Sequence, residues 1–235
     1  MIVNRQHFLL LTIFLSLWAI LAAPTTPPHT PSAPTKPSWI LKPIETGPFT
    51  PEEEKAFSRT LHIAVGPPLN EKGNNNAGIF TVPGKYNNID GTKLVVKALK
   101  SADAASIAEV KVLHGFDDLV DSGKVMIDGK LTPAIVMKKK DGCSLILCKE
   151  YTGAGPDDKR RMRKEAQELM YNKVADIAEA KGLYHDDNHM GNYIVTIKDK
   201  KVVSVEIIDW NGKHVYWIAK VAREVVVAHT KEEWP

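Results

Sequence analysis

Cysteine, glycosylation sequons and excess charge of one sign are all scarce in this sequence of 235 residues. With only two cysteines, disulfides cannot replace a hydrophobic core as they do in small secreted scaffolds. No Asn-x-Ser/Thr sequon occurs, so N-glycosylation is not expected. The formal net charge of +3 provides no electrostatic argument for binding nucleic acid or a membrane surface. The fold must therefore rest on its core, and the hydrophobic content of 43% is that of a soluble globular protein.

The two cysteines, Cys143 and Cys148, lie five residues apart in one apolar segment. A regular strand or helix with this spacing seldom brings two sulfur atoms within bonding distance. We therefore expect two buried thiols, with a disulfide as the alternative.

The N-terminus has the form of a secretory signal peptide. Arg5 precedes an uncharged apolar run from residue 8 to residue 23, which ends in small residues before Pro24. At 16 residues the run is shorter than the roughly 20 that a membrane span needs. We predict a signal peptide over residues 1–23, cleaved after residue 22 or 23, and a secreted protein without a stable membrane span. An uncleaved signal anchor is the alternative.

Residues 24–38 change in composition, with six prolines among threonines and serines. Such a segment cannot bury enough apolar surface to offset its ordering entropy, so it is predicted to be a disordered linker. Residues 39–235 then form the folded domain.

Within that domain, short apolar runs alternate with helical patterns, which predicts an α+β fold. Strands are expected at residues 61–65, 79–86, 93–99, 119–120, 124–127, 131–137, 193–197 and 202–208, with turns at 87–91 and 121–123. Helices are expected from Thr50 to about Thr60, at 105–113, at 157–181 and at 214–230.

Two polar motifs stand beside the last strands. His185, Asp187 and Asn192 follow the long helix, with Asn192 five residues beyond Asp187, and Asp209 follows an apolar strand. Phosphoryl transfer to a hydroxyl uses such a set, with one Asp orienting the hydroxyl and Asn and a second Asp binding metal. The alternatives are an ordinary polar loop, or a transition-metal site at His185, Asp187 and His189.

These motifs, together with Val95-Val96-Lys97-Ala98, resemble the protein-kinase-like superfamily over about residues 61–212. The loop is also similar to that of aminoglycoside- and choline-type phosphotransferases. The resemblance implies a two-lobed fold: an antiparallel-sheet N-lobe with one main helix over about 61–140, and a reduced helical C-lobe over about 141–235.

The resemblance also implies roles for individual residues. Lys97 contacts the ATP phosphates, Glu109 pairs with Lys97, Asp187 is the base and His185 supports the loop, while Asn192 and Asp209 bind Mg²⁺ or Mn²⁺. Lys93 and Lys100 are competing candidates for the lysine, and Glu109 has the alternative of an ordinary surface carboxylate.

Two further regions complete the expected ATP site. Gly73 and Gly78 are five residues apart between strands and would let backbone N–H groups approach phosphates, although a plain hairpin turn explains them equally well. By resemblance to a kinase hinge, the backbone from Met137 to Lys139 faces adenine.

Two departures from protein kinases limit the assignment. Asp209-Trp210-Asn211 replaces Asp-Phe-Gly, and no Ala-Pro-Glu follows, so an activation segment is not expected and the acceptor is not defined. The sequence predicts a secreted kinase, dependent on ATP and magnesium, that phosphorylates a hydroxyl of a protein, as an effector acting on another cell would. The alternatives are a small-molecule phosphotransferase, a pseudokinase that binds nucleotide or a partner, and an α+β secreted protein without a nucleotide site.

Overall fold

The structure is a computed structural model that describes residues 36–70 and 76–235. Residues 36–235 belong to one compact unit. The predicted signal peptide, most of the predicted linker and Gly73 lie outside the described residues. No helix in the described ranges is long and apolar enough to cross a membrane.

The described residues fold into antiparallel sheets and helices. The strands are β1 (Ile40–Pro43), β2 (Pro68–Asn70), β3 (Asn76–Thr81), β4 (Lys85–Tyr86), β5 (Ile89–Asp90), β6 (Leu94–Leu99), β7 (Leu119–Ile127), β8 (Lys130–Lys138), β9 (Leu183–His185), β10 (Tyr193–Lys198), β11 (Lys201–Ile207) and β12 (Val215–Ile218). The helices are α1 (Pro51–Glu54), α2 (Ala104–Gly115), α3 (Lys149–Thr152), α4 (Pro156–Lys181) and α5 (Arg223–Glu233). The predicted α+β class is confirmed.

A five-stranded sheet in the order β2-β3-β6-β8-β7 organises the first half of the domain. Every residue of its central strand β6 is buried, because apolar side chains cover both faces. Leu94 and Val96 pack into a small core beneath Leu61, whereas Leu99 belongs to the main core, which includes residues of α2. Strand alternation therefore places Lys97 on the same face as Leu99, as predicted.

Two predictions beside this sheet are wrong. Residues 61–65 form no strand, and the chain just before them runs beside β7 through a parallel Thr60–Lys124 bridge, neighbouring backbone hydrogen bonds and an Arg59–Asp121 ion pair. The predicted turn at 121–123 is part of the continuous strand β7. A Cβ at Gly123 would lie 2.7 Å from the Arg59 carbonyl oxygen of the neighbouring segment. The glycine therefore permits a close approach of two chain segments rather than a turn.

The second half of the domain is built on α4, which confirms the helix predicted over 157–181 and buries one apolar stripe. Met162, Ala166, Met170 and Val174 are fully or almost fully buried. The helix ends at Gly182, which has a φ of 66° and suits a left-handed cap. The sequence suggests Asp157-Asp158 as the cap, but Gly155 is the N-cap and the two aspartates lie within the first turn, where they pair with Arg160 and Arg161. The β10–β11 hairpin packs on this helix.

The prediction of one helix over 214–230 is wrong. Residues 215–218 form β12, which lies between β1 and β9 in a three-stranded sheet, and α5 begins only at Arg223. The β-branched and aromatic side chains of β12 suit a pleated, half-buried surface better than a helix. The helix predicted to run from Thr50 to Thr60 also stops early, at Glu54, although the predicted Thr50–Glu53 capping box is present.

The cysteine prediction is wrong as well, because Cys143 and Cys148 form a disulfide. The segment between them is neither strand nor α-helix. A 3-10 turn at Leu145–Leu147 brings the two Cα atoms to 5.5 Å, which lies within the range that a disulfide bridges.

Candidate active site

A cavity of about 660 Å³ lies between the five-stranded sheet and the β10–β11 hairpin. Small-molecule sites usually measure roughly 300–1,000 Å³, so the cavity is large enough for a nucleotide. Most of the predicted site residues line it: Lys97, Glu109, Met137, Lys139, Asn192 and Asp209. Asp187 and His185 are not among the lining residues, but Asp187 contacts Asn192 and His185 contacts Asp209.

At the inner end of the cavity, Lys97 joins two carboxylates. Its Nζ atom lies 2.5 Å from Glu109 Oε1 and 2.5 Å from Asp209 Oδ1. The Lys97 and Glu109 side chains are only 3% and 2% exposed. The three residues come from β6, from α2 and from the segment after β11, and we call them the charged triad. The predicted pairing of Lys97 with Glu109 is present, and Glu109 is not a surface carboxylate.

The charged triad is negative overall when its three members are ionised. Burial disfavours the charged Lys97, but the adjacent Glu109 and Asp209 outweigh this effect and raise the pKa of Lys97. Burial also raises the pKa of Glu109, and Lys97 only partly opposes it. The pKa of Asp209 is lowered, because the attraction and hydrogen bond of Lys97 outweigh burial. The lowered pKa favours an ionised Asp209, which fits a cation-binding role for this carboxylate.

The polar loop (residues 186–192) orders the other end of the site. Asn192 Nδ2 donates to the backbone oxygen and to Oδ2 of Asp187, each at 2.9 Å. Because the side-chain amide nitrogen of Asn192 is engaged in this way, its side-chain oxygen, Oδ1, is left for a ligand. Ile208 N–H donates to the Asn192 backbone oxygen at 2.9 Å, which ties the polar loop to the segment that carries Asp209. Asn192 and Asp209 thus share one end of the hairpin, as predicted.

His185 supports both parts of the site. Its Nε2 lies 3.1 Å from the Asp209 backbone oxygen, and since a carbonyl only accepts, Nε2 carries the proton. The imidazole is 1% exposed, and this burial lowers the pKa of His185. A neutral His185 therefore fixes the backbone of Asp209 from behind.

The Asp209 backbone is left-handed, with a φ of 61°, which is uncommon outside glycine. Trp210, the next residue, lies in the core. The centroid of its ring is 4.7 Å from that of Phe116 and 5.0 Å from that of His185. Gly212 then passes so close to α2 that a Cβ would lie 2.4 Å from the Ala108 Cβ. The packing of residues 210–212 holds Asp209 in this conformation.

Two predicted nucleotide contacts have only part of the expected geometry. Met137 and Lys139 line the cavity, but Lys139 N–H donates to the Lys93 oxygen at 2.8 Å and is not available to adenine. Gly78 lies in β3, which places Asn76 and Ile79 at the cavity, whereas Gly78 lines a separate groove. Lys93 does not line the cavity, so Lys97 is the better candidate of the two.

No group of three His, Cys, Asp or Glu side chains in the described part of the chain is arranged to hold a metal ion. This finding contradicts the alternative of a transition-metal site at His185, Asp187 and His189. Magnesium makes a smaller demand, since it is usually held by one or two carboxylates together with substrate phosphates. Such an ion fits the carboxylate of Asp209 and the side-chain oxygen of Asn192.

Sequence reasoning missed three contributors to the site. Cys143 and Leu147 of the disulfide loop line the cavity, and Trp234 donates from its indole Nε1 to the Asp186 backbone oxygen at 3.0 Å. Trp234 lies 48 residues from Asp186, and no local pattern links them.

No protein-family model matches this sequence, and no characterised protein matches it closely enough to indicate a relationship.

Proposed function

We propose that the protein is a kinase that transfers the γ-phosphoryl group of ATP to a hydroxyl group, with magnesium as the metal. The observation that carries this proposal is the charged triad in a cavity of nucleotide size, with Asp187 and Asn192 linked to it through Ile208. The five-stranded sheet with α2 would be the N-lobe, and the part built on α4 a reduced C-lobe.

ATP would lie with its phosphates toward Lys97 and its base toward the apolar part of the cavity. That part is formed by Leu69, Ile79, Val95, Met137, Leu147 and Ile194. Lys97 is held in a single position by two carboxylates, so its charge faces the phosphates without the entropy loss of a mobile surface lysine. Asp209 and Asn192 would hold the magnesium ion, which neutralises phosphate charge.

In this proposal Asp187 acts on the acceptor. Its Oδ2 atom is occupied by Asn192, and its side chain is 28% exposed, so an acceptor hydroxyl can reach the carboxylate. The acceptor oxygen forms a bond to the γ-phosphorus, and its proton passes to Asp187. The bond from the γ-phosphorus to the β–γ bridging oxygen breaks, and ADP leaves with that electron pair. A positioned base typically contributes about 10²- to 10⁴-fold.

A transfer assay tests the proposal. The full chain would be incubated with γ-labelled ATP, magnesium or manganese and a generic protein acceptor, beside Asp187→Ala and Asp209→Ala. Asp157→Ala is the matched control, because that carboxylate is 90% exposed on the first turn of α4. We expect transfer by the wild type and the control, and a loss of at least about 100-fold in both site variants.

Transfer that survives both site substitutions would refute the proposed roles. If the wild type binds ATP but transfers nothing to proteins or to small hydroxyl compounds, the protein is a nucleotide-binding module instead. Transfer only to small hydroxyl compounds would make it a small-molecule phosphotransferase. Secretion, and action on a protein of another cell, remain part of the proposal. N-terminal sequencing of exported protein would test the expected cleavage after residue 22 or 23.

A further inference from the structure

Asp186 stands between His185 and the proposed base Asp187, and three segments of the chain hold it. Its N–H donates to the His214 backbone oxygen at 2.8 Å. Its carboxylate forms an ion pair with Lys36, and its backbone oxygen accepts from Trp234 Nε1 at 3.0 Å. A residue with its N–H, carbonyl and side chain all engaged has little freedom to rotate.

Trp234 is itself fixed, which makes its contact with the polar loop a rigid one. The backbone N–H of Trp234 donates to the Thr230 backbone oxygen at 3.0 Å, and the backbone oxygen of Trp234 accepts from the Tyr171 hydroxyl of α4 at 2.5 Å. One turn earlier, Lys231 forms a 2.8 Å ion pair with Glu168, which also belongs to α4. The end of α5 is therefore docked on the longest helix before the indole reaches the polar loop.

The indole also borders the residue that faces Asp187. The rings of Trp234 and His189 have centroids 6.3 Å apart. His189 Nδ1 accepts from Gly191 N–H at 3.0 Å, so the proton lies on Nε2, which is 3.6 Å from Asp187 Oδ1. Trp234 thus contacts the polar loop on both sides of Asp187: the Asp186 carbonyl before it and the His189 ring after it.

We propose that Trp234 is a positioning residue for Asp187, acting through its hydrogen bond to the Asp186 carbonyl and its contact with His189. This inference rests on the proposed function. The indole has a single hydrogen-bond donor, and that donor is given to the polar loop. Loss of the indole N–H therefore loosens the backbone just before Asp187. Helix α5 itself stays in place, because its buried residues Val226 and Thr230 are unchanged.

The test compares Trp234→Phe, which keeps a ring but loses the donor, with Trp217→Phe. Trp217 is a partly buried tryptophan in β12 that packs against the main core, so it controls for the loss of an indole. Hydrogen exchange of the amides of residues 186–192, ATP affinity, and kcat and KM for phosphoryl transfer would be measured on the full chain.

We expect Trp234→Phe to speed exchange in residues 186–192 by about three- to tenfold, the effect of one hydrogen bond. It should lower kcat by a similar factor and change ATP affinity by a smaller factor, because Lys97 and Asp209 lie outside the polar loop and only Asn192 of the proposed phosphate and magnesium ligands lies within it. The Trp217→Phe control should leave both exchange in the polar loop and kcat unchanged.

Unchanged exchange in the polar loop of Trp234→Phe, or an equal effect of Trp217→Phe, would overturn the inference. So would an equal fall in ATP affinity, since that points to general loosening of the domain. Exchange needs no activity, so an inactive wild type would refute the proposed function while exchange still decides whether Trp234 holds the polar loop.

Discussion

The charged triad and the polar loop contribute to the same cavity but are built in opposite ways. Lys97 and Glu109 are almost excluded from solvent and hold each other, whereas the side chains of Asp187 and His189 are 28% and 51% exposed. Charges buried in this way depend on their partners for stability, whereas exposed ones are solvated. The phosphate side of the proposed site is thus part of the core, and the acceptor side is open. Substitutions should reduce folding stability in the first region and mainly activity in the second.

The largest effect is expected for Lys97→Met. It leaves Glu109 and Asp209 facing each other without a cation, and breaking a buried pair in this way costs about 3–5 kcal/mol. Urea unfolding of the variant and the wild type would measure the difference. Lys93→Met, at an exposed position four residues earlier, is the control and should change stability by less than about 0.5 kcal/mol. Equal losses of unfolding free energy in Lys97→Met and Lys93→Met would show that the buried charges do not depend on Lys97.

Gly212→Ala should destabilise the region of the charged triad through a steric clash rather than through an unpaired charge. The added methyl would lie 2.4 Å from the Ala108 Cβ and push α2, which carries Glu109, away from Asp209. Overpacking of this kind costs about 1–3 kcal/mol. Gly115→Ala is the control, because nothing lies within 4 Å of its Cβ position. Thermal unfolding would compare the melting temperatures of the two variants. An unchanged melting temperature for Gly212→Ala would show that the packing around Ala108 can relax.

His185, which connects the two regions, should make stability depend on pH. Burial lowers its pKa, so below about 6.5 the unfolded chain takes up a proton that the folded chain does not. The free energy of unfolding should therefore fall as the pH drops below about 6.5, by at most about 1.4 kcal/mol per pH unit. Urea unfolding at several pH values would reveal the slope. His185→Gln, which does not titrate, should have a smaller slope, and an equal slope would argue against a neutral buried imidazole.

The smallest effect on stability is expected in the polar loop. Asp187→Asn keeps an oxygen that can accept from Asn192 and removes a partly exposed charge, so the free energy of unfolding should change by about 0.5 kcal/mol or less. Phosphoryl transfer should nevertheless fall by about 100-fold or more, because the proposed base is lost. Urea unfolding and the transfer assay on one preparation would measure both. A destabilisation like that of Lys97→Met would remove the distinction between the regions.

Local patterns explain which features were predictable from the sequence. Strand alternation in β6 and helical spacing in α2 predicted the two elements, whereas the pairing of Lys97 with Glu109 was expected only from the resemblance to kinases. The hairpin turns at Asn87-Asn88 and Asp199-Lys200 were also foreseen, and all four residues have positive φ. Features that depend on distant partners were not foreseen. Strand β12 exists because β1 and β9 flank it, and the contact of Trp234 with Asp186 joins residues that no local pattern connects.

The disulfide was missed for a different reason. Its closure depends on a 3-10 turn, which the apolar sequence between the cysteines does not distinguish from a strand. The parallel pairing of residues 59–61 with β7 was missed in a similar way, since Gly123 is equally typical of a turn.

The disulfide makes one wall of the cavity responsive to the chemistry of its surroundings. Cys143 exchanges two backbone hydrogen bonds with Val195 of β10, and Leu147, inside the disulfide loop, lines the cavity. In a thiol-rich compartment such as the cytosol, reduction would release this loop without touching the charged triad. We therefore expect dithiothreitol to weaken ATP binding at the proposed site while the domain stays folded, so that the proposed site would bind nucleotide better outside the cytosol than within it.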